Sequence, residues 1–516
     1  MPDNILRKLP SVDALLGRDD ARALIEKFGR EQTLAAVRAA LDETRAEILA
    51  AQNASAAGAD DRPNADQNVC FLPASQNGIA AEDASVGTPA LSVDIAVAPE
   101  HIVGLAAARL ETKSARTLRR AINATGILMH SGLGRALLSE DARQALDEVA
   151  RGYSTLALDV DTGLRGQRDA HVASLLRELT GAEAATICNN NAAATVLVLN
   201  TIARDKEVIL SRGQLVEIGG SFRMPDVMAM SGAVLREVGT TNKTHLRDYA
   251  EAVGPNTGAI LRVHHSNYRI LGFHEEPSIE ELAALGRERG IPVIDDIGSG
   301  ALVDLKRYGL ETEPLVRASV AAGVDCACFS GDKLIGGPQS GIIVGRSGVI
   351  ARIKKNPLAR ALRCGKLTLA AMEATLRLFL APDKLEDRHP VYRMLARSAD
   401  ELERRGRAIV EHLKPILAAG VSLSVEDGEA QIGSGSVPVE TIPSKVVALR
   451  IGALGRGARA LDTSAASLEE LACKLRRQSP AVFTRIHKDA LLFDLRTIQP
   501  NEDEDIVNAI LKGVRS

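Results

Sequence analysis

Residues 325–341 read DCACFSGDKLIGGPQSG, and the reading of this stretch decides the fold. The run DCACF is short, apolar and followed by turn formers, the pattern of a strand buried on both faces. Lys333 therefore stands just past a strand end. Gly331, Gly336, Gly337 and Gly341 around it allow tight turns and close backbone approach to a ligand. Working outward, similar runs recur at AATIC (184–188), EVIL (207–210), AVLREV (233–238), AILRVHH (259–265), IPVIDD (291–296) and GIIVG (341–345). Helical stretches separate several of them. HVASLLRELTG (171–181) is amphipathic and ends in glycine, and PSIEELAALGRERG (277–290) carries Ser278 and Glu281 in a capping-box pattern. Short apolar strands separated by helices predict an α/β fold with a mainly parallel central sheet covered on both faces.

Sites of open α/β sheets collect at the carboxyl ends of strands. Lys333 lies at one such end and Asp296 at another, followed by Ile297-Gly298-Ser299-Gly300. A lysine amine that can bond an aldehyde, opposite an acid that can keep a pyridine nitrogen protonated, suits pyridoxal phosphate. A third part, Asn189-Asn190-Asn191-Ala192-Ala193-Ala194, joins a strand to a helix start, where free N–H groups and the helix dipole suit a phosphate. Taken singly, each has a plain structural reading: a surface lysine, a helix-capping acid, an asparagine N-cap. Ser330-Gly331-Asp332-Lys333 also matches S-x-x-K, but the companion triplets S-D-N and K-T-G are absent.

At 516 residues the chain has room for two to four domains at roughly 100–200 residues each. A net charge of -3 and a mean hydropathy of -0.01 describe a soluble globular chain and exclude a polybasic nucleic-acid binder. Trp is absent, so aromatic stacking platforms do not dominate any RNA contact. No apolar run reaches the roughly 18 residues of a membrane span, and MPDNILRKLPSVDALLG lacks a signal pattern; a cytoplasmic protein with no membrane partner is expected. Cys326 and Cys328 form C-x-C without a second pair at zinc spacing and read as buried thiols on a strand. The histidines form no metal motif, so no metal is expected.

Residues 1–50 read as an N-terminal helical domain and 51–100 as a flexible low-complexity insertion. A linking basic helix covers 101–120, with Arg109, Lys113, Arg116, Arg119 and Arg120 opposed by Glu111 alone; such a run is normally a solvated face. The catalytic large domain spans 121–385. Residues 386–516, with helices at 391–415 and 467–477, form a small α+β domain.

Longer motifs add a resemblance. INATGILMHSGLGRALLS (122–139), GLRGQRDAHVASLLRELTGAEAA (163–185), NNNAAA, SRGQLVEIGGSFRMPDVM (211–228), EVGTTNKTHLRDY (237–249), VHHSNYRILGF (263–273), FSGDKLIGGPQSGIIVG (329–345) and KLTLAAMEATLRL (366–378) together resemble the bacterial selenocysteine synthase family. The resemblance spans roughly 1–50 and 101–516. It implies a fold-type-I, pyridoxal-phosphate-dependent transferase. Lys333 matches the cofactor lysine, Asp296 the pyridine-nitrogen acid and Asp332 the acidic neighbour of the lysine. Asn190, Asn191 and Ala192 match the phosphate loop, and Ser330 is expected among the cofactor-binding residues. Arg135, Arg360 and Arg363 match arginines that hold the selenium donor, and Thr240 and Thr241 match a neighbouring-subunit segment near the site. The implied reaction removes water from seryl-tRNA(Sec), passes through an aminoacrylyl-tRNA and adds selenium from selenophosphate. The implied assembly is a homo-oligomer, a decamer built from dimers, with N-terminal helices that recognise the tRNA. HSGLGR and CGKLTLAA depart from the family's usual HTNLGR and VDKLTLAA.

Two rivals are distinguishable. A small-molecule lyase of the same superfamily, such as a sugar-acid ammonia-lyase, would keep Lys333 and Asp296 but needs no tRNA-recognition helices. A non-catalytic tRNA scaffold has no need of Lys333 or the phosphate loop.

Overall fold

The computed structural model describes residues 5–57, 97–218, 222–265, 267–310, 313–417, 420–434, 440–451 and 468–515. Two compact units divide the chain, residues 1–119 and 120–516.

The first unit is helical. Val12–Leu16 (α1) starts on Ser11, whose hydroxyl accepts from Ala14 N. Asp19–Phe28 (α2) ends at Gly29, whose φ of 86° turns the chain into Arg30–Ala57 (α3). Pro99–Ser114 (α4) lies against α3, burying Ile102, Val103, Ala106 and Leu110 with Leu15, Val37, Ala40 and Leu41. The basic helix expected as a link over 101–120 is thus a core member of this unit. The helix ends at Ser114, and the expected basic run continues past it: Arg109 bonds Glu43 at 2.6 Å, and Arg120 bridges Glu502 and Asp505 within the second unit. Of the segment expected as an insertion, 51–57 continue α3 and Pro99–Glu100 open α4; residues 58–96 lie outside the described residues.

The second unit begins with Ala121–Asn123 (β1) and carries a seven-stranded sheet. Its strands are Ala184–Cys188 (β2), Glu207–Ser211 (β3), Val234–Val238 (β4), Thr257–Val263 (β5), Val293–Gly298 (β6), Cys326–Ser330 (β7) and Gly341–Gly345 (β8). The spatial order is β2-β8-β7-β6-β5-β3-β4, with β8 antiparallel to both neighbours and the other pairs parallel. Alternation along each strand splits the apolar side chains between two cores. Ile209, Ile260, Ala327 and Phe329 enter one; Val208, Leu210, Leu261, Cys326 and Cys328 enter the other. Both thiols are buried on a strand, and Cys328 is held protonated by its bond to Cys326 and by burial. The Ser278 and Glu281 capping box forms as expected, at the start of Ile279–Arg289.

A second sheet holds Val421–Ala430 (β9), Ile442–Ile451 (β10), Arg485–His487 (β12) and Ala490–Asp494 (β13), in the order β9-β10-β13-β12; Ala481–Phe483 (β11) instead pairs with β1 in parallel. The division near residue 120 falls where it was expected, but the two cores of the second unit share the chain differently from the partition 121–385 and 386–516. Ile122 and Ala124 pack in the C-terminal core, and Val391, Tyr392, Met394 and Leu395 pack in the large one. The helix expected over 391–415 breaks at Arg397, whose buried guanidinium donates to the Ile498 carbonyl. Ser398 then caps Ala399–Leu413.

Candidate active site

Two consecutive acids on β6 point to opposite faces. Asp295 is buried against the forked guanidinium of Arg262, at 2.8 and 2.9 Å, and the Ser319 hydroxyl. Asp296 turns the other way, into a cavity of about 350 Å³ whose wall includes Arg135, Asn190, Ala192, His264, Ser330 and Lys333. Its carboxylate accepts from Asn191 Nδ2 at 2.8 Å and from Thr195 Oγ1 at 3.0 Å. Asn191 and Thr195 stand one turn apart on the helix Asn191–Ile202 (α5), so both reach it. Asn190 caps α5 through Ala193 N at 2.8 Å. The start of α5 therefore presents backbone N–H groups and positive dipole to the cavity. Gly341 passes this loop so closely that a Cβ on it would lie 2.1 Å from the Asn190 carbonyl oxygen.

Lys333 is 5% exposed. Its turn is closed by Gly336 N to Lys333 O at 2.9 Å and Gly337 N to Gly331 O at 2.8 Å. Gly336 has a φ of 69°, and a Cβ there would meet the His389 ring. His389 in turn bonds the Ile335 carbonyl at 2.8 Å. Beside Lys333, Asp332 accepts from Arg135 Nη1 at 2.8 Å; Arg135 holds a left-handed backbone with φ of 63°, rare for a residue with a side chain.

Burial lowers the Lys333 ammonium below its ordinary value, aided by Arg135 and resisted by Asp296, Asp332 and Glu313. Burial raises the Asp296 carboxyl, while Asn191, Thr195 and Lys333 pull it down. The pair thus combines a nucleophilic amine with an acid whose charge calls for a cationic partner.

His264, Thr195 and Glu313 were not singled out from the sequence. His264 follows the end of β5, so the strand-end rule was a signal for it. Thr195 was findable as the i+4 neighbour of Asn191. Glu313 had no such signal. It sits in a loop with a fully buried side chain, bonded to the Ser299 hydroxyl and 4.0 Å from His264 Nε2.

Burial depresses both His264 and His389 to about 4. Each binds a proton more readily unfolded than folded. Native stability is therefore expected to fall as pH drops from about 6.5 toward 4 and to be insensitive to these groups above that window. Urea unfolding at pH 7 and pH 5 checks this, with His389→Gln expected to flatten part of the slope.

Five expected residues do not line this cavity; Asp332 reaches it only through its bond to Arg135, and the other four lie elsewhere. Arg360 and Arg363 line a second one, of about 530 Å³, with Arg168, Lys354, Cys188 and Cys364. Arg363 is held below its ordinary value, first by Arg168 and then also by Arg360 and Arg165, so this wall concentrates positive charge. The two cavities adjoin through the chain: Asn189 N donates to Leu362 O at 2.9 Å. Thr240 and Thr241 are exposed in a turn where the Thr240 hydroxyl donates to Lys243 O at 2.9 Å.

Comparison with known proteins covers both units. Residues 121–499 match the family model of L-seryl-tRNA selenium transferase, and residues 6–45 that of the selenocysteine synthase N terminal. An L-seryl-tRNA(Sec) selenium transferase of Geobacter sulfurreducens is 42% identical over 98% of each chain. One from Methylocella silvestris is 44% identical over 96% of this chain and 94% of its own. One from Desulfomicrobium baculatum is 51% identical over 69% of this chain and 76% of its own. Among solved structures, D-glucosaminate-6-phosphate ammonia-lyase superposes with a TM-score of 0.53 at 20% identity, over 77% of this chain and 97% of its own, a likeness of fold. The architecture is that of the fold-type-I pyridoxal-phosphate-dependent enzymes.

Proposed function

Because this chain belongs to the L-seryl-tRNA selenium transferase family, we propose that it replaces the serine hydroxyl of seryl-tRNA(Sec) with selenium from selenophosphate, using pyridoxal phosphate held at Lys333. The carrying observation is the cavity that joins the Lys333 amine, the Asp296 carboxylate and the start of α5. These residues fit the cofactor. The buried Asn191 Oδ1 and His264 Nε2 have no hydrogen-bond partner in this polar cavity. Lys333 would bond its aldehyde, Asp296 would hold its ring nitrogen, and Asn190, Asn191, Ala192 and Ser330 would surround its phosphate. When bound, it supplies an electron sink conjugated to the substrate Cα.

The chain's own groups do the rest. Once released by the substrate amine, Lys333 Nζ is within reach to take the Cα proton and to return one at the end. Asp332 holds Arg135 at the cavity wall, where its planar fork suits the oxygens of an anionic selenium donor. Overall, the Cβ hydroxyl leaves as water with the Cα proton, the selenium of selenophosphate adds at Cβ, and a water cleaves the Se–P bond so that phosphate is released. Arg135→Ala is expected to weaken use of selenophosphate about 10–100-fold, the worth of one charge-assisted hydrogen bond, with seryl-tRNA binding little changed. Steady-state kinetics with each substrate varied separate the two.

The positive wall around Arg360 and Arg363 supports a donor site completed by another copy of the chain. Exposed Val160, Leu164 and Phe273 support a homo-oligomer, for which we favour a decamer of dimers. The helical unit is assigned to tRNA recognition, and a cytoplasmic setting follows from the substrate. No helix among the described residues is long and apolar enough to cross a membrane. The test incubates purified protein, pyridoxal phosphate and seryl-tRNA(Sec), with and without selenophosphate. Selenocysteinyl-tRNA formed only with the donor is the expected result. No change in the esterified amino acid, or equal turnover of free small amino sugars, overturns the reading.

A further inference from the structure

Consecutive residues past the end of β5 diverge, as the two acids on β6 do. His264 enters the catalytic cavity, and His265 turns away from it toward Tyr268, Gly213 and Glu276. There it meets a second segment. Glu275 forms a parallel bridge with Lys243 and exchanges backbone bonds with Asn242 and Thr244, at 3.0 and 2.9 Å. Residues flanking a bridged position in extended chain project to the face opposite it. Glu275 is accordingly occupied by Lys243 and His245, while His274 and Glu276 point together toward His265. One ligand atom from each of His265, His274 and Glu276 lies within 4.8 Å of the others.

The surroundings are fixed as a metal site requires. The buried Gln214 side chain donates to Glu276 Oε2 at 3.1 Å and accepts from Val263 N at 3.0 Å, tying the carboxylate to the end of β5. The Asn242 side chain bonds the Phe273 carbonyl at 2.6 Å, pinning the backbone beside His274. His265 Nε2 lies 3.1 Å from the Gly213 carbonyl and 3.8 Å from Glu276 Oε2. The Tyr268 hydroxyl bonds the same carbonyl, so that oxygen keeps a partner if the imidazole turns to a cation.

We propose that His265, His274 and Glu276 bind one divalent transition-metal ion, with zinc the best match. Two imidazoles and a carboxylate, with oriented outer partners, are the donor set that zinc takes in four-coordinate sites, the fourth position being left to water. The ion would clip the loop after β5 to the 240–244 turn, behind the wall of the catalytic cavity and outside it. This site is independent of the reaction proposed above.

The test uses the full-length, untagged holoenzyme, stripped with a chelator and then given Zn²⁺ or Co²⁺ alone. One equivalent of zinc per chain should survive desalting and raise the melting temperature, and Co²⁺ should show ligand-field bands of an imidazole-carboxylate site. His274→Ala and Glu276→Gln should each lose the retained equivalent, and Gln214→Ala should weaken it about 10–100-fold. Unchanged circular dichroism keeps a folding defect apart from a lost ligand. No retained zinc in the unsubstituted protein, or equal retention in the His274 and Glu276 variants, overturns the proposal.

Discussion

A Lys333→Ala protein is expected to form selenocysteinyl-tRNA at least about 10²–10⁴-fold more slowly, the loss that follows removal of a positioned proton carrier. It should also lose the visible absorbance of lysine-held cofactor. Both effects have one origin. The amine is buried, and burial together with Arg135 penalises its charged form, so the uncharged amine is more available at neutral pH than on a surface lysine. Its turn is locked by Gly336 and Gly337, so no neighbouring amine takes its place. Lys333→Arg separates charge from chemistry. It keeps a cation facing Asp296, yet it cannot bond an aldehyde or give up a proton near neutral pH. Equal loss in both variants is expected. A rate close to that of the unsubstituted protein in either one removes Lys333 from the chemistry.

Asp296→Asn is expected to act in opposite directions on turnover and on stability. Turnover should fall about 10²–10³-fold, the usual cost of losing one pre-organised electrostatic partner. The cofactor-free protein should become more stable at neutral pH. Asp296 binds its proton more tightly folded than unfolded, because burial raises it. Its contribution to stability therefore falls as pH rises from the ordinary carboxyl range through its raised value, and at neutral pH a buried charge remains. An amide carries no such charge. It can also donate to Asn191 Oδ1, which is buried without a partner. Thermal melts of the cofactor-free proteins at pH 7 check the sign. A less stable Asn variant there refutes the account, and added pyridoxal phosphate should narrow or reverse the difference.

Much of the sheet was legible because its strands other than the edge strand β4 are largely buried on both faces and read as apolar runs. The lysine and its opposing acid were legible because each stands where an apolar run stops. Thr195 and Glu313 were not, since neither differs from its neighbours until folding places it against Asp296 or His264. Arg135, Arg360 and Arg363 look alike as motif arginines, but only Arg135 faces the Lys333 cavity within one chain. Neighbourhood in sequence does not encode which side of the Asn189 loop a side chain takes. The place of β1 in the C-terminal core was hidden for a related reason: it pairs with β11, far along the chain, and no local pattern announces a partner so distant.

The opposed acids of β6 and the opposed histidines after β5 carry a consequence for how such a chain can diverge. Inserting or deleting one residue inside Val293–Gly298 would exchange Asp295 and Asp296, sending the arginine-paired carboxylate into the cavity and the cavity acid into the core. A slip in Thr257–Val263 would trade His264 for His265 in the same way. Substitutions can drift through these strands one at a time, but changes in length cannot. Indels are therefore confined to the connections, and the position of each acid and each histidine relative to its own strand should outlast the identity of nearly everything around them.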